Sequence, residues 1–180
     1  MATSLLLLAD THLPTRARAL PDAVWAAVEA ADLVLHAGDW VSAALLDELE
    51  RRSARCLGVT GNNDGPDLRA RLPEVARVEA DGVRLAVVHE TGPARGREER
   101  CAQRFPDDDV LVFGHSHIPW DTTAARPDGG ALRLLNPGSP TDRRRQPRAT
   151  YLTAVAERGQ LRDVVLHALP ARTPTRTPAS

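Results

Sequence analysis

Short polar segments with metal-binding residue types recur along the sequence, and nearly all of them follow an apolar stretch. Aspartate, asparagine and histidine supply the oxygen and nitrogen atoms that bind divalent metal ions in proteins. Polar groups that follow the strands of an α/β sheet meet beyond the carboxyl ends of those strands. We therefore expect the segments to form one site. They are Asp10-Thr11-His12, Gly38-Asp39, Gly61-Asn62-Asn63-Asp64, His89, Gly114-His115-Ser116-His117 and Asn136-Pro137-Gly138-Ser139.

The residue types in these segments indicate the kind of metal site. Two aspartates, four histidines and one asparagine make a mixed nitrogen and oxygen set, and the lack of cysteine among them disfavours a structural zinc finger. Seven protein ligands are too many for one ion, and they suit two ions that share a carboxylate and lie roughly 3.5–4 Å apart. In Asp10-x-His12 and His115-x-His117, extended backbone would send both side chains of each pair to one face.

The first half of the chain contains the elements that must position these residues. Leu5–Ala9, Leu33–His36 and Arg55–Val59 are apolar runs, which predicts three buried strands. Helices are predicted to begin at Pro21 and after Ser42, which could cap the second helix. This repeated strand–loop–helix order indicates a parallel sheet with helices on its faces.

The second half is predicted to consist mainly of hairpins, and the fold class is α/β: two packed mixed β-sheets flanked by helices. We expect a single domain over residues 1–169 and a disordered tail over 170–180, which is rich in Pro, Thr and Arg. The predicted elements are the hairpins Val75–Ala80 with Val83–Val88, Trp120–Ala125 with Ala131–Leu135, and Thr150–Ala156 with Leu161–His167, a helix over Ala94–Phe105 and a strand over Val110–Phe113.

Composition narrows the class of protein. The 180 residues carry a net charge of -1, which gives no reason to expect nucleic acid as a partner except as a nucleotide. The sequence contains no lysine, so Schiff-base chemistry is excluded. Cys56 and Cys101 lie far apart, which favours a reducing cytoplasm. No apolar stretch approaches the ~20 residues of a membrane span, and a homodimer is left open.

The order of the motifs resembles the calcineurin-like metallophosphoesterases. Asp10-x-His12, Gly38-Asp39, Gly61-Asn62-x-Asp64, His89 and Gly114-His115-x-His117 follow one another as in that superfamily. The closing Asn136-Pro137-Gly138-Ser139 is similar to its small branch, which includes phosphodiesterases of the YfcE type and the retromer subunit Vps29. The resemblance assigns Asp10, His12 and His117 to a first metal ion, Asn62, His89 and His115 to a second, and Asp39 to both.

The resemblance also implies an activity. A hydroxide that bridges two divalent transition-metal ions would attack a phosphate ester, with a phosphodiester as the expected substrate and with Asp39, Asn62 and His12 as catalytic residues. Manganese is the first expectation for the metal, although the ligand set also admits iron, nickel, cobalt or zinc. The substrate would be a small phosphate ester. A scaffold of the Vps29 type is the alternative, and completeness of the ligand set favours an enzyme.

Some residues depart from the family pattern or admit a structural role. Larger relatives often have a histidine at the position of Asn63 as proton donor to the leaving group, and asparagine cannot donate a proton in that way. Asn63, Arg143 and Arg144 are the predicted substrate-binding residues, because guanidinium groups recognise phosphate. Glu90 adds a negative charge beside His89. We expect packing roles for His36 and His167, a loop-orienting role for Asp64, and a surface turn at Asp107-Asp108-Asp109.

Overall fold

The computed structural model describes residues 2–171, and within them it contains two five-stranded sheets and four helices. Most of the predicted tail, residues 172–180, lies outside the described residues. The strands are β1 (Thr3–Leu8), β2 (Leu33–His36), β3 (Cys56–Gly58), β4 (Val75–Ala80), β5 (Val83–Val88), β6 (Val110–Val112), β7 (Trp120–Ala125), β8 (Ala131–Asn136), β9 (Thr150–Glu157) and β10 (Gln160–Ala168). The helices are α1 (Asp22–Ala30), α2 (Ala43–Arg52), α3 (Pro66–Arg69) and α4 (Arg97–Arg104).

Both sheets combine parallel strands with antiparallel ones. Sheet 1 has the order β10-β9-β1-β2-β3, in which β1, β2 and β3 are parallel. Sheet 2 has the order β4-β5-β6-β8-β7, in which β5, β6 and β8 are parallel. The predicted fold class, two packed mixed sheets with flanking helices, is therefore confirmed. Each sheet has one edge at which several strands end together, and polar residues follow them there.

The apolar pattern of β1 shows why the sheets stack in layers. Leu5 and Leu7 face the space between the sheets and pack in one buried cluster with residues of sheet 2 such as Leu85. Leu6 and Leu8 face the opposite way and pack with residues of α1 and α2. Because both faces of β1 are covered from Leu5 onward, the strand is apolar at every position from Leu5 to Leu8, as the sequence predicted. On the outer face of sheet 2, α4 packs against β7 and β8.

Local signals place the helices of the first half. The α1 helix begins after Pro21, whose φ of -59° suits a helix start. Ser42 caps α2, because its side chain accepts a hydrogen bond from the Ala44 N–H at 3.2 Å. The buried faces are those predicted from the spacing of apolar residues. They are Val24, Trp25 and Val28 in α1 and Leu45, Leu46 and Leu49 in α2.

The structure corrects several boundaries. The helix predicted over Ala94–Phe105 spans only Arg97–Arg104, because Gly96 has a φ of 69° and ends the preceding loop. The one-turn helix α3 was not predicted. The turn at Asp107-Asp108-Asp109 is not simply a surface turn, since Asp108 is buried and lies 3.2 Å from Arg77 Nε. Among residues 2–171, no helix has both the length and the apolar composition that crossing a membrane requires.

Candidate metal centre

All seven predicted metal ligands lie at neighbouring ends of the two sheets. Asp10 and His12 follow β1, Asp39 follows β2 and Asn62 follows β3, so four ligands come from sheet 1. Sheet 2 supplies the other three: His89 follows β5, and the loop after β6 carries His115 and His117. Parallel strands end at the same edge, which explains why residues distant in sequence converge. The seven residues form two clusters that meet at Asp39.

The first cluster consists of Asp10, His12 and His117, all of which are buried. The Nε2 atoms of His12 and His117 lie 3.1 Å apart. Asp10 Oδ1 is 3.5 Å from His117 Nε2 and 4.0 Å from His12 Nε2. Three ligand atoms therefore converge on one small space, as the shared binding of one cation requires.

The second cluster consists of Asn62, His89 and His115. Asn62 Oδ1 lies 2.9 Å from His89 Nε2 and 3.0 Å from His115 Nδ1, and these two ring nitrogens are 3.3 Å apart. Asn62 is exposed and His115 is half-buried, whereas the residues of the first cluster are buried. The second cluster is thus the side of the site that faces solvent.

Asp39 lies between the two clusters and points one carboxylate oxygen at each. Its Oδ2 atom is 3.5 Å from His12 Nε2 in the first cluster, and its Oδ1 atom is 3.5 Å from His89 Nε2 in the second. The side chain is almost completely buried. One carboxylate that faces two ligand clusters is the arrangement expected for a residue that bridges two cations.

Hydrogen bonds to main-chain carbonyls fix the histidine tautomers. His89 Nδ1 lies 2.8 Å from Ala37 O, and His117 Nδ1 lies 2.5 Å from Asp142 O. A carbonyl oxygen only accepts, so each Nδ1 donates, and the Nε2 atom of the neutral ring presents a lone pair to the site. His89 Nε2 then faces the Asn62 oxygen, which is also an acceptor. A cation between them would turn this repulsion into attraction.

Buried polar atoms give a second reason why the site fits a cation. Asp10 Oδ2 is buried and has no hydrogen-bond partner in the part of the chain that the structure describes. Burial raises the pKa of Asp10 well above its ordinary value, and the nearby charge of Asp39 adds to the increase. Burial also lowers the pKa of His12, and it lowers the pKa of His117 to about 4. Divalent ions would offset the cost of charging Asp10 and would favour neutral imidazoles as ligands.

The backbone at the site is not extended, so the extended conformation predicted for Asp10-x-His12 and His115-x-His117 is wrong. Five of the seven ligands have a positive φ, although none of them is glycine. Non-glycine residues rarely adopt this conformation, and each instance costs about 1–3 kcal/mol. Such residues concentrate where function requires one side-chain direction. The five are Asp10 (54°), His12 (45°), Asp39 (61°), His115 (69°) and His117 (57°).

Two motif glycines allow the loops to approach each other. A Cβ atom at Gly61 would overlap the backbone nitrogen and Oδ1 of Asp39. A Cβ atom at Gly114 would lie 2.9 Å from Ala37 O and 3.1 Å from Asp10 Oδ2. Any side chain at these positions would therefore push the ligand loops apart.

Several residues hold the ligand loops without belonging to either cluster. Asp64 accepts hydrogen bonds from the backbone N–H groups of Asp39, Val41 and Gly61 at 3.2, 2.7 and 2.7 Å, which confirms its predicted loop-orienting role. His36 stacks on Trp40, with 3.6 Å between the ring centroids. It is fully buried, as its predicted packing role requires.

The Asn136-Pro137-Gly138-Ser139 motif joins two ligand loops. The Asn136 side chain donates to Gly114 O at 2.9 Å, next to His115. The Ser139 hydroxyl donates to Asp10 O at 2.7 Å. The sequence showed the motif but not these two contacts, because neither follows from spacing along the chain.

The predicted substrate-binding residues differ in position. Asn63 lies on Asp39, to which it donates through its backbone N–H (2.9 Å to Oδ1) and its side-chain amide (2.7 Å to Oδ2). Arg144 lies at the rim of the site, with Nη1 3.3 Å from His115 O. Arg143 instead donates to Gln146 O at 2.6 Å. The structure thus brings Arg144 to the site and engages Arg143 within its own loop.

An α/β sandwich with acid and histidine clusters at its sheet edges defines a class of protein that holds divalent cations. A sequence model described as the calcineurin-like phosphoesterase superfamily domain matches residues 4–159. The chain belongs to the calcineurin-like phosphoesterase superfamily.

Individual relatives agree with this family. A protein of Methanothermobacter thermautotrophicus named as a probable metallophosphoesterase is 34% identical over 138 residues, which are 75% of this chain and 76% of that protein. The solution structure of the Thermotoga maritima protein TM1076 is 30% identical with a TM-score of 0.71 and covers 93% of this chain and 99% of that one. Vps29 of Entamoeba histolytica, solved with zinc, is 21% identical with a TM-score of 0.70, covers 92% of this chain and 98% of that one, and shares the fold.

Proposed function

We propose that this protein is a metal-dependent phosphoesterase that hydrolyses phosphodiesters with two divalent metal ions. The observation that carries the proposal is the position of Asp39, whose two carboxylate oxygens each lie 3.5 Å from a histidine nitrogen of a different cluster. The name of the Methanothermobacter relative, a probable metallophosphoesterase, supports the same activity.

Each ion would be held by one cluster together with Asp39. Asp10, His12 and His117 would hold the first ion, and Asn62, His89 and His115 would hold the second. When bound, such ions lower the pKa of a water molecule to give a nucleophile and offset the negative charge of the phosphate. Manganese is our first choice of metal. Zinc is the second choice, because the related Vps29 structure contains zinc.

The ligand set supports an enzyme rather than a scaffold. Every one of the seven positions holds a residue with a competent nitrogen or oxygen atom. The site also lowers the stability of the fold, since five of these residues have positive φ and Asp10 has a buried carboxylate oxygen without a hydrogen-bond partner among residues 2–171. A protein that served only as a binding surface would have no need for these destabilising features.

The residues at the rim would orient the substrate. Arg144 is exposed, and its guanidinium group near His115 would bind a phosphate oxygen through charge-assisted hydrogen bonds. Asn63 would act mainly by holding Asp39, because its backbone N–H and its side-chain amide both donate to that carboxylate. A leaving group would then receive no proton from this position, which favours substrates whose leaving group is a stable anion.

Metal-stripped protein reconstituted with each candidate metal provides the test. We expect two ions per chain by elemental analysis, and hydrolysis of bis(4-nitrophenyl) phosphate only after reconstitution. The Arg143→Ala variant is the matched control, since Arg143 faces Gln146 and the variant should keep both properties. A reproducible ceiling of one ion per chain would refute the binuclear site. Two bound ions without hydrolysis of any phosphate ester would favour the scaffold.

A further inference from the structure

A second arginine, Arg16, lies beside the first cluster. Its backbone N–H donates to His12 O at 2.9 Å, and the hydroxyl of the preceding Thr15 donates to the same oxygen at 2.9 Å. These contacts fix the backbone of Arg16 to that of a predicted metal ligand. The side chain itself is 66% exposed, so its guanidinium group is accessible to a solute.

Asp142 links Arg16 to the rest of the rim. Its Oδ2 atom lies 3.5 Å from Arg16 Nε, and its Oδ1 atom accepts a hydrogen bond from the Arg144 N–H at 3.2 Å. Its carbonyl oxygen accepts from His117 Nδ1. One residue thus places both arginines on the side of the first cluster.

The ion pair between Arg16 and Asp142 is weak enough to exchange. Exposed ion pairs contribute little to stability, and this one has a single contact at 3.5 Å rather than a bidentate pair. A phosphate group, which offers more acceptor oxygens, would compete well for the guanidinium group. Arg16 and Arg144 can therefore offer two guanidinium groups at the rim of the site, whereas a phosphodiester carries only one negative charge.

The chemistry of the leaving group points in the same direction. Asn63 supplies no proton, so the leaving group must depart as an anion. An alkoxide is too basic to leave readily in this way, whereas a phosphate group has its second pKa near ~6. A substrate whose leaving group is itself a phosphate would satisfy the site without a general acid. It would also carry the second negative charge that the two arginines accommodate.

We propose that Arg16, beside Arg144, binds a second phosphoryl group of the substrate, and that the site selects organic diphosphates over simple phosphodiesters. This inference rests on the proposed hydrolytic function. In the reaction, a water oxygen would bond to the phosphorus at the metal centre while the bond from that phosphorus to the bridging oxygen breaks. The electron pair stays on the bridging oxygen of the departing phosphate, and the water protons pass to solvent.

Two substrates with leaving groups of similar pKa provide the test. One is bis(4-nitrophenyl) phosphate, and the other is the methyl ester of adenosine 5′-diphosphate, which releases methyl phosphate. For the Arg16→Ala variant, we expect the ratio of kcat/KM for the diphosphate to that for the aryl diester to fall about tenfold, as for loss of a hydrogen bond to a charged group. Arg143→Ala removes the same charge from a nearby position and should leave the ratio unchanged.

Binding of the non-hydrolysable α,β-methylene analogue of the diphosphate, measured by calorimetry on metal-loaded protein, gives a readout that is independent of turnover. We expect Arg16→Ala to weaken this binding about tenfold at low salt, and the difference to shrink as salt rises. Equal effects of Arg16→Ala and Arg143→Ala on the ratio and on binding would overturn the inference. If the wild-type protein cleaves neither substrate, the proposed function fails, while analogue binding still decides the role of Arg16.

Discussion

Asp64 offers the sharpest test of how the fold holds the site. Its carboxylate binds backbone N–H groups of the ligand loops and contacts no side chain of a predicted metal ligand. Its carboxylate is buried and accepts hydrogen bonds from the N–H groups of Asp39, Val41 and Gly61. In an Asp64→Ala variant these three donors lose their partner. An unsatisfied buried donor costs about 1–3 kcal/mol. Because Val41 is only half-buried and water can reach it, we expect a total loss of about 3–5 kcal/mol in the free energy of unfolding.

The Asp64→Asn variant should lose less. An amide keeps one acceptor oxygen, which can still serve Asp39 and Gly61, but its NH₂ group would face the Val41 N–H as donor against donor. We therefore expect a loss of about 1.5–3 kcal/mol. A native domain has only about 5–15 kcal/mol of stability, so the alanine variant should be near the limit of folding.

Urea unfolding followed by circular dichroism, with a chelator present throughout, separates this structural effect from metal binding. Asp67→Ala is the control, since the Asp67 side chain is exposed on α3 and has no hydrogen bond or ion pair with other residues in the range 2–171. It should change the free energy of unfolding by less than about 0.5 kcal/mol. If Asp64→Ala costs less than about 1 kcal/mol, or if asparagine is worse than alanine, the hydrogen-bond account is wrong.

Three further predictions follow from buried or engaged side chains. Asp39→Asn should abolish turnover, whereas His36→Ala should keep it in the folded fraction, because only Asp39 faces both clusters; equal losses at matched folding would contradict this. Rates for phosphodiesters should depend steeply on leaving-group pKa, and Asn63→His should flatten the slope; a flat wild-type slope with rate-limiting chemistry would require another acid. The Arg97 side chain is buried between two aromatic rings without a hydrogen bond or ion pair to any described residue, so Arg97→Met should leave thermal stability equal or higher.

The spacing of apolar residues along the sequence was sufficient to predict an element where a single local cause determines its structure. The central strand β1 was recognisable because both of its faces are buried, and α2 because Ser42 caps it. The hairpin of β4 and β5 was predicted to the residue, since Asp81-Gly82 specifies the turn and both residues have positive φ. By contrast, the start of α4 depended on the conformation of Gly96, which the sequence leaves open because glycine tolerates both helix and loop.

The predicted ligands converge because each follows a strand and strands of one sheet end together. The rim could not be predicted in the same way. Arg143 and Arg144 are neighbours of identical type, but only Arg144 reaches the site, and its φ of 46° belongs to a turn that tertiary contacts hold. Arg16 was missed altogether, since its proximity to Asp142 arises from two loops that are 126 positions apart along the chain.

The division of the ligands between the sheets has a thermodynamic consequence. Each cluster combines side chains from sheet 1 with side chains from sheet 2: Asp10 and His12 meet His117, and Asn62 meets His89 and His115. A cation held by either cluster therefore ties the two halves of the sandwich together, and its binding energy adds to the free energy of unfolding by mass action. Under the proposed function, removal of the metal ions would therefore lower the free energy of unfolding as well as stop hydrolysis.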